Sequence, residues 1–226
     1  MEQRGWRLFV KKAFDRTAAG VGIIVLAPLL VVVAIAIRAT MGSPVLFRQR
    51  RAGLRGAPFD VLKFRTMLGT RDGEGKLLPD GERLTRLGTF LRKSSLDELP
   101  QLVNVLKGEM SLVGPRPLVT LYLPRYDAEQ ARRHDVLPGI TGWQQVRGRN
   151  ALQWEDRLAL DVWYVDNWSL LLDLKIMVRT PLVVLQGRGV SHEGHATMPY
   201  FMGNLAKGPV APRDPKPTAG NEIGSD

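Results

Sequence analysis

The chain has no cysteine and only three histidines. The missing thiols rule out disulfides, thiolate zinc sites and cysteine nucleophiles, and they fit a reducing compartment without establishing one. So few imidazoles leave little material for a histidine metal centre. His192 and His195, in a late Gly-containing segment, read as solvated loop residues rather than ligands. Acidic residues are scarce relative to basic ones, 22 against 32, for a formal charge of +10. That balance favours an anionic partner: nucleic acid, an anionic membrane or a phosphorylated substrate. No internal repeat is present. The 226 residues suit one domain with appendages, since single cores stop growing near ~250 residues.

Charge is missing altogether from residues 18–37, a run of twenty (AAGVGIIVLAPLLVVVAIAI). The run is long enough to cross a hydrocarbon core of about 30 Å. It is too long for a signal-peptide core, and no small-residue cleavage site stands out after it. A spanning helix, a buried core helix and a hairpin that enters the bilayer and returns remain. Pro28, mid-run, removes one backbone donor and crowds the carbonyl four residues earlier, so a bend is expected there. Basic residues flank both ends: Lys11, Lys12 and Arg16 before it, Arg38, Arg48, Arg50 and Arg51 after it. Such residues favour the cytoplasmic face. The preferred reading is therefore a re-entrant helix-break-helix within residues 1–42, with a proline-kinked spanning helix as the alternative.

Residues 45–68 alternate apolar and polar positions around a Gly/Pro break, which predicts two short strands or a hairpin. Residues 69–83 form a polar, Gly-rich connection. Helical spacing resumes over 84–91. Ser95-Leu96-Asp97-Glu98 then has the S-x-x-E form of a capping box opening the apolar helix LPQLVNVLKG, which should end near Gly108. Residues 154–186 hold two amphipathic stretches in which Trp154, Trp163, Tyr164 and Trp168 cluster. A membrane interface and ordinary core packing both account for them. Beyond Gly203, Pro209, Pro212, Pro215 and Pro217 with little apolar content predict disorder.

Asp97 and Glu98 adjoin one another at a predicted helix start, where free N–H groups and the helix dipole favour a charged carboxylate. A capping role explains such a pair equally well. Its neighbours tilt the reading toward chemistry. Pro115 and Pro117 fix the backbone around Arg116, holding a guanidinium that can grip phosphate in bidentate fashion. Lys63 and Arg65 lie in KFRTM, and Arg147 and Arg149 in VRGRN. A carboxylate pair among so many cations calls for a divalent metal or a polyphosphate substrate.

KFRTM (63–67), SSLDELPQLVNVLKGEMSLVGPRP (94–117), LPGITGWQQVRGRN (137–150) and LDVWYVDNWSLLLDLKI (160–176) follow in order within residues 11–186. Together they resemble the bacterial sugar transferase family, the monotopic phosphoglycosyl transferases, in its small, minimal form. The resemblance implies transfer of a phospho-sugar from a UDP-sugar to polyprenyl (undecaprenyl) phosphate, releasing UMP and starting glycoconjugate or polysaccharide synthesis. It implies double displacement, with Asp97 forming a covalent aspartyl phospho-sugar and Glu98 binding Mg²⁺. Arg116 and Lys63 match donor-site positions, and Arg65, Pro115, Pro117 and Arg147 are grouped with them as substrate-binding. Asp161 matches an acidic supporting position, and Pro28 the proline that breaks the membrane helix.

The expected fold is α+β and mainly helical. It comprises a re-entrant membrane hairpin over residues 1–42, a catalytic domain over 43–202 with interfacial amphipathic helices and a short β-hairpin, and a disordered tail over 203–226. The expected place is the bacterial cytoplasmic (inner) membrane, monotopic, with the active site on the cytoplasmic face and no nucleic-acid partner. Donor sugar and oligomeric state stay open, a homodimer included. The competing expectation is a membrane-tethered basic protein that binds lipid or nucleic acid without catalysis, its acidic pair only a cap.

Overall fold

The structure is a computed structural model that describes residues 5–148, 152–186 and 200–203. Arg149, His192, His195 and the tail from 204 onward lie outside the described residues. Helix α1, Gly5–Met41, takes up the apolar run and its first basic flank in one 37-residue element with Pro28 inside it. A helix-break-helix was expected there, and the run is instead a single helix of about 55 Å. A mid-helix proline costs about 3 kcal/mol, and packing on both sides of Pro28 offsets it. Lys11, Asp15, Ala19, Val33, Ile37 and Met41 are buried, with Ile23, Leu26 and Leu30 packed between them. Their spacing of three and four residues makes one stripe along the whole helix. Ala19 clusters with Leu102 and Val105, and Ile37 and Met41 cluster with Phe64 and Leu91, so both halves of α1 rest on the same body. The opposite face exposes Trp6, Phe9, Phe14, Ile24, Val25 and Val32.

The expected hairpin is present. β1 (Leu46–Ala52) and β2 (Pro58–Phe64) pair antiparallel with Gln49 opposite Val61. The polar connection that follows carries a single helical turn, α2 (Asp80–Arg83). Next comes α3 (Arg86–Lys93), capped by Thr85 Oγ1 accepting from the Gly88 N–H. α4 (Gln101–Lys107) ends at Gly108, φ 80°, as expected. Short β3 (Ser111–Val113) pairs in parallel with β4 (Gly139–Thr141), and α5 (Ala128–Ala131) lies between them in sequence. α6 (Trp143–Arg147), α7 (Trp154–Asn167) and α8 (Leu170–Leu185) complete the chain order. Tyr164 and Trp168 are each 1% exposed, so core packing accounts for them, whereas Trp163 is 41% exposed. α8 leaves Leu171, Leu174, Val178, Leu182 and Leu185 exposed on one stripe.

Two local features fix where the loop after β3 goes. One is a buried polar knot that joins α1, β3, α7 and α8. Lys11 donates to Asp173 at 2.6 Å and to the Val113 carbonyl at 3.1 Å. Tyr164 and Trp168 donate to the same Asp173, and Ser111 donates to Asp15. The other is a crossing of glycines. A Cβ on Gly139 would lie 2.1 Å from the Gly114 nitrogen and 2.4 Å from the Thr141 carbonyl oxygen, and one on Gly114 would lie 2.3 Å from the Leu137 carbonyl oxygen. Gly139→Ala is therefore expected to lower stability by ~3 kcal/mol or more. Thermal unfolding of the detergent-solubilised protein tests this, and a midpoint within about 2 °C of the parent would mean that the crossing has slack.

Candidate active site

Asp97 and Glu98 occupy a single 3-10 turn, Leu96–Glu98, between α3 and α4. The predicted capping box does not form. Ser95 adopts a left-handed backbone, φ 58°, makes no cap hydrogen bond, and α4 begins only after Pro100. Pro100 stands at the N-cap position of α4 and no side chain caps that end, so the two acids are not spent on it. They face inward instead, toward β2 and the loop after β3.

Glu98 is gripped from two sides. Lys63, at the end of β2, donates to its Oε1 at 2.7 Å. Arg116 forks onto both oxygens, Nη2 to Oε1 at 2.5 Å and Nη1 to Oε2 at 3.3 Å, the planar fork that suits a guanidinium to a carboxylate. Burial alone would raise the Glu98 pKa, but Arg116 and then Lys63 outweigh it and hold the group well below the usual carboxylate range. Conversely, Glu98 pushes Arg116 up, while burial brings Lys63 down.

Asp97 has the opposite fate one residue away. It is 8% exposed, and no hydrogen bond or ion pair to its side chain is found among the described residues. Burial first, then the charge of Glu98, raises its pKa to about 6 against the pull of Lys63, Arg116 and Arg92. The direction is the reverse of the expected helix-start stabilisation, because desolvation dominates where no helix N-terminus is at hand. Adjacent carboxylates with separated pKa values divide labour between a reactive group and a fixed anion.

The cleft beside them is lined by Arg51, Val61, Lys63, Gln101, Arg116 and Pro117. Three cations thus stand around one narrow cleft. Arg51 donates to the Pro117 carbonyl at 3.3 Å, and burial, then Arg116, lowers its pKa to about 10. Sequence reading counted Arg51 only as a basic flank of the apolar run. A one-residue alternation along β1 is the faint signal that it faces inward.

The other expected site residues divide. Pro115 accepts from the Gly139 N–H at 2.9 Å and so frames the loop. Asp161 does not reach the acidic pair. It accepts from Arg133 at 2.7 and 3.1 Å, and Arg133 donates to the Arg116 carbonyl at 2.6 Å. Arg133, which sequence reading missed, thus links α7 to the loop. Arg65 is not at the cleft: its guanidinium bonds the carbonyls of Met41, Gly42 and Ser43 at the end of α1, where the helix C-terminus attracts a cation. Arg147 is also elsewhere, its guanidinium 4.4 Å from the centre of the Trp143 ring, the stacking that a desolvated aromatic face offers arginine.

Among the described residues no group of three or more His, Asp or Glu could enclose a metal. Asp97 and Glu98 do fit the way Mg²⁺ is commonly held, by one or two carboxylates with substrate phosphates completing the shell. Glu98 Oε2, with one long contact at 3.3 Å, is the less committed oxygen.

Residues 6–187 match the family model described as bacterial sugar transferase. The chain is 53% identical over 198 residues to a Bacillus subtilis protein named uncharacterized sugar transferase EpsL, covering 87% of this chain and 98% of that one. It is 46% identical over 180 residues, 75% of this chain and 67% of the other, to a Caulobacter vibrioides UDP-glucose:undecaprenyl-phosphate glucose-1-phosphate transferase. A Komagataeibacter xylinus undecaprenyl-phosphate glucose phosphotransferase is 43% identical over 193 residues, 77% of this chain but 36% of its own length.

The raised pKa of Asp97 makes a stability prediction. With a folded value near 6 against an ordinary 3.8, the native state holds the proton more tightly than the unfolded chain. Stability therefore falls as pH rises from about 4 to 6 and stays lower above that. Asp97→Asn removes the cost and is expected to stabilise the protein at pH 8 by up to about 3 kcal/mol, the gain vanishing below pH ~4. Unfolding midpoints across pH measure this. An Asn variant no more stable than the parent at pH 8 would show that Asp97 carries no electrostatic penalty.

Proposed function

The chain belongs to the bacterial sugar transferase family, and from that premise we propose that it transfers a phospho-sugar from a UDP-sugar to a polyprenyl phosphate such as undecaprenyl phosphate, by way of a covalent intermediate on Asp97. The observation that carries the proposal is the unlike state of two neighbouring acids. Glu98 is held ionised by two cations, and Asp97 is buried with no hydrogen bond or ion pair to its side chain among the described residues. The competing view of the pair as a mere helix cap has lost its footing, since no cap is formed.

In the first step an Asp97 carboxylate oxygen attacks the phosphorus that bears the sugar. A bond from that phosphorus to the bridging oxygen breaks, and UMP leaves with the electron pair. An oxygen of the lipid phosphate then attacks the same phosphorus and displaces the carboxylate, giving the polyprenyl-diphosphate sugar and restoring Asp97. Splitting the transfer lets one site take a soluble donor and a membrane-bound acceptor in turn. Arg51, Lys63 and Arg116 hold phosphate oxygens while charge develops. Glu98 would hold Mg²⁺, whose charge offsets that of the leaving UMP. Arg133 and Asp161 keep the Arg116 backbone in place.

Asp97→Asn is expected to retain fold and membrane association and to lose at least ~1,000-fold in UMP release from UDP-sugars, as removal of a nucleophile does. Incubating the parent with labelled UDP-sugar and no lipid should leave label on the protein. Parent-rate release by the Asn variant would remove Asp97 from the mechanism, and absent label under active turnover would favour a single direct transfer.

We further propose monotopic residence in the bacterial inner membrane with the site on the cytoplasmic face. In support, both halves of α1 pack on one body, its outer face is apolar, and a stripe of apolar residues on α8 is left exposed. A spanning helix would carry one of its ends to the far side, away from the body it packs on. Cysteines introduced at Gln3 and Thr40, in a chain with none of its own, should both react with an impermeant reagent from the cytoplasmic side. Labelling from opposite sides would establish a spanning helix.

A further inference from the structure

The matched family region ends at residue 187, yet a short segment beyond it is built into the fold. Phe201 is 2% exposed. Its ring lies 5.8 Å from that of Tyr122, 5.6 Å from Tyr126 and 5.5 Å from Trp154, and its carbonyl accepts from Arg125. Gly203 has φ +82°, and a Cβ there would lie 2.9 Å from the Arg125 Cβ and 3.0 Å from its carbonyl oxygen. A ring in a socket, a directed hydrogen bond and a position with room only for glycine fix the segment's register in three independent ways.

What the socket belongs to gives the segment its meaning. Tyr122 lies in the turn Thr120–Arg125, five residues beyond Pro117 in the loop that carries Arg116. The start of that stretch is laced to β1: Ala52 donates to the Leu118 carbonyl at 2.9 Å, and Arg51 pairs with Val119 and donates to the Pro117 carbonyl. Residues 117–126 thus form a wall. Its front presents Pro117 to the cleft and holds Arg51 of β1 there through the Pro117 carbonyl, and its back is filled by Phe201.

We propose that residues 200–203 are a strap that positions this wall for the nucleoside-diphosphate donor, with Phe201 as a positioning residue that never touches substrate. The proposal rests on the donor reading given above. Phe201 clusters with Leu118, Tyr122, Tyr126 and Leu158, none of them in the acidic pair or in α1, so loosening the strap should impair capture of the donor while the chemistry and the lipid site are spared.

The test is steady-state kinetics of the full chain with UDP-sugar and polyprenyl phosphate. Phe201→Ala should raise KM for UDP-sugar about tenfold, leaving KM for the lipid unmoved and kcat within about threefold, the pattern of lost donor binding. Phe201→Leu should recover most of the loss. If the Ala variant fails to fold, Phe201→Leu and Gly203→Ala carry the test, each with a donor KM about threefold above the parent. A donor KM equal to the parent's in the folded variants overturns the strap, as does an equal rise in both KM values. Should the parent itself release no UMP from any UDP-sugar, the donor reading has failed and the strap falls with it. Parent turnover with an unmoved donor KM in the variants defeats the strap alone.

Discussion

A buried carboxylate without a cation costs several kcal/mol, and Glu98 avoids that cost only because three segments distant in sequence meet around it. Lys63 arrives on β2, Arg116 on the loop after β3, and Glu98 on the turn between α3 and α4. None of the three charges would be tolerated in this place alone. Removing Glu98 leaves two cations facing each other, and removing both cations leaves its carboxylate buried alone, so the triplet acts as a check that the hairpin, the turn and the loop have come together in the right register. Everything that bounds the cleft inherits its position from that check: Arg51 through the Pro117 carbonyl, and Arg133 and Asp161 through the Arg116 carbonyl.

Asp97 is the residue for which the triplet does least. The positive charge nearby is already committed to Glu98, and burial adds its own penalty, so the balance leaves Asp97 part-protonated around pH 6. This is a locally unstable arrangement that a protein selected for stability alone would lose to asparagine. Arg51, Lys63 and Arg116 line one cleft, and Asp97 has no hydrogen bond or ion pair to its side chain among the described residues.

Much of this was legible in the sequence, for identifiable reasons. The hairpin followed from alternation, the end of α4 from Gly108, and the acidic pair and Arg116 from motifs whose order is more telling than any member. The cap reading of Ser95-Leu96-Asp97-Glu98 failed because the S-x-x-E spacing is blind to Pro100, which delays the helix. Arg65 and Arg147 were misplaced because clustering in sequence cannot tell a guanidinium at a cleft from one bound to a helix end or stacked on Trp143. Arg51 and Arg133 were missed for the converse reason: each is one arginine in a basic stretch, and only the tertiary fold chooses which is buried. The unbroken α1 reflects contacts from Leu102, Leu91 and Phe64 that no local pattern around Pro28 records.

The membrane-facing helix and the cleft are also one mechanical unit. An apolar seam along α1 would hold it to the body, but seams of Ala, Val and Ile permit a slide by one turn at little loss, since each turn presents similar side chains. Directional bonds do not permit it. Lys11 reaches both Asp173 and the Val113 carbonyl, and Val113 stands three residues before Arg116 on the chain that leads into the cleft. A slide of α1 would separate the buried Lys11–Asp173 pair and break the hydrogen bond from Ser111 to Asp15 at once. The position of α1 on the body is thereby tied, through Lys11 and the Val113 carbonyl, to the chain that carries the guanidinium gripping Glu98.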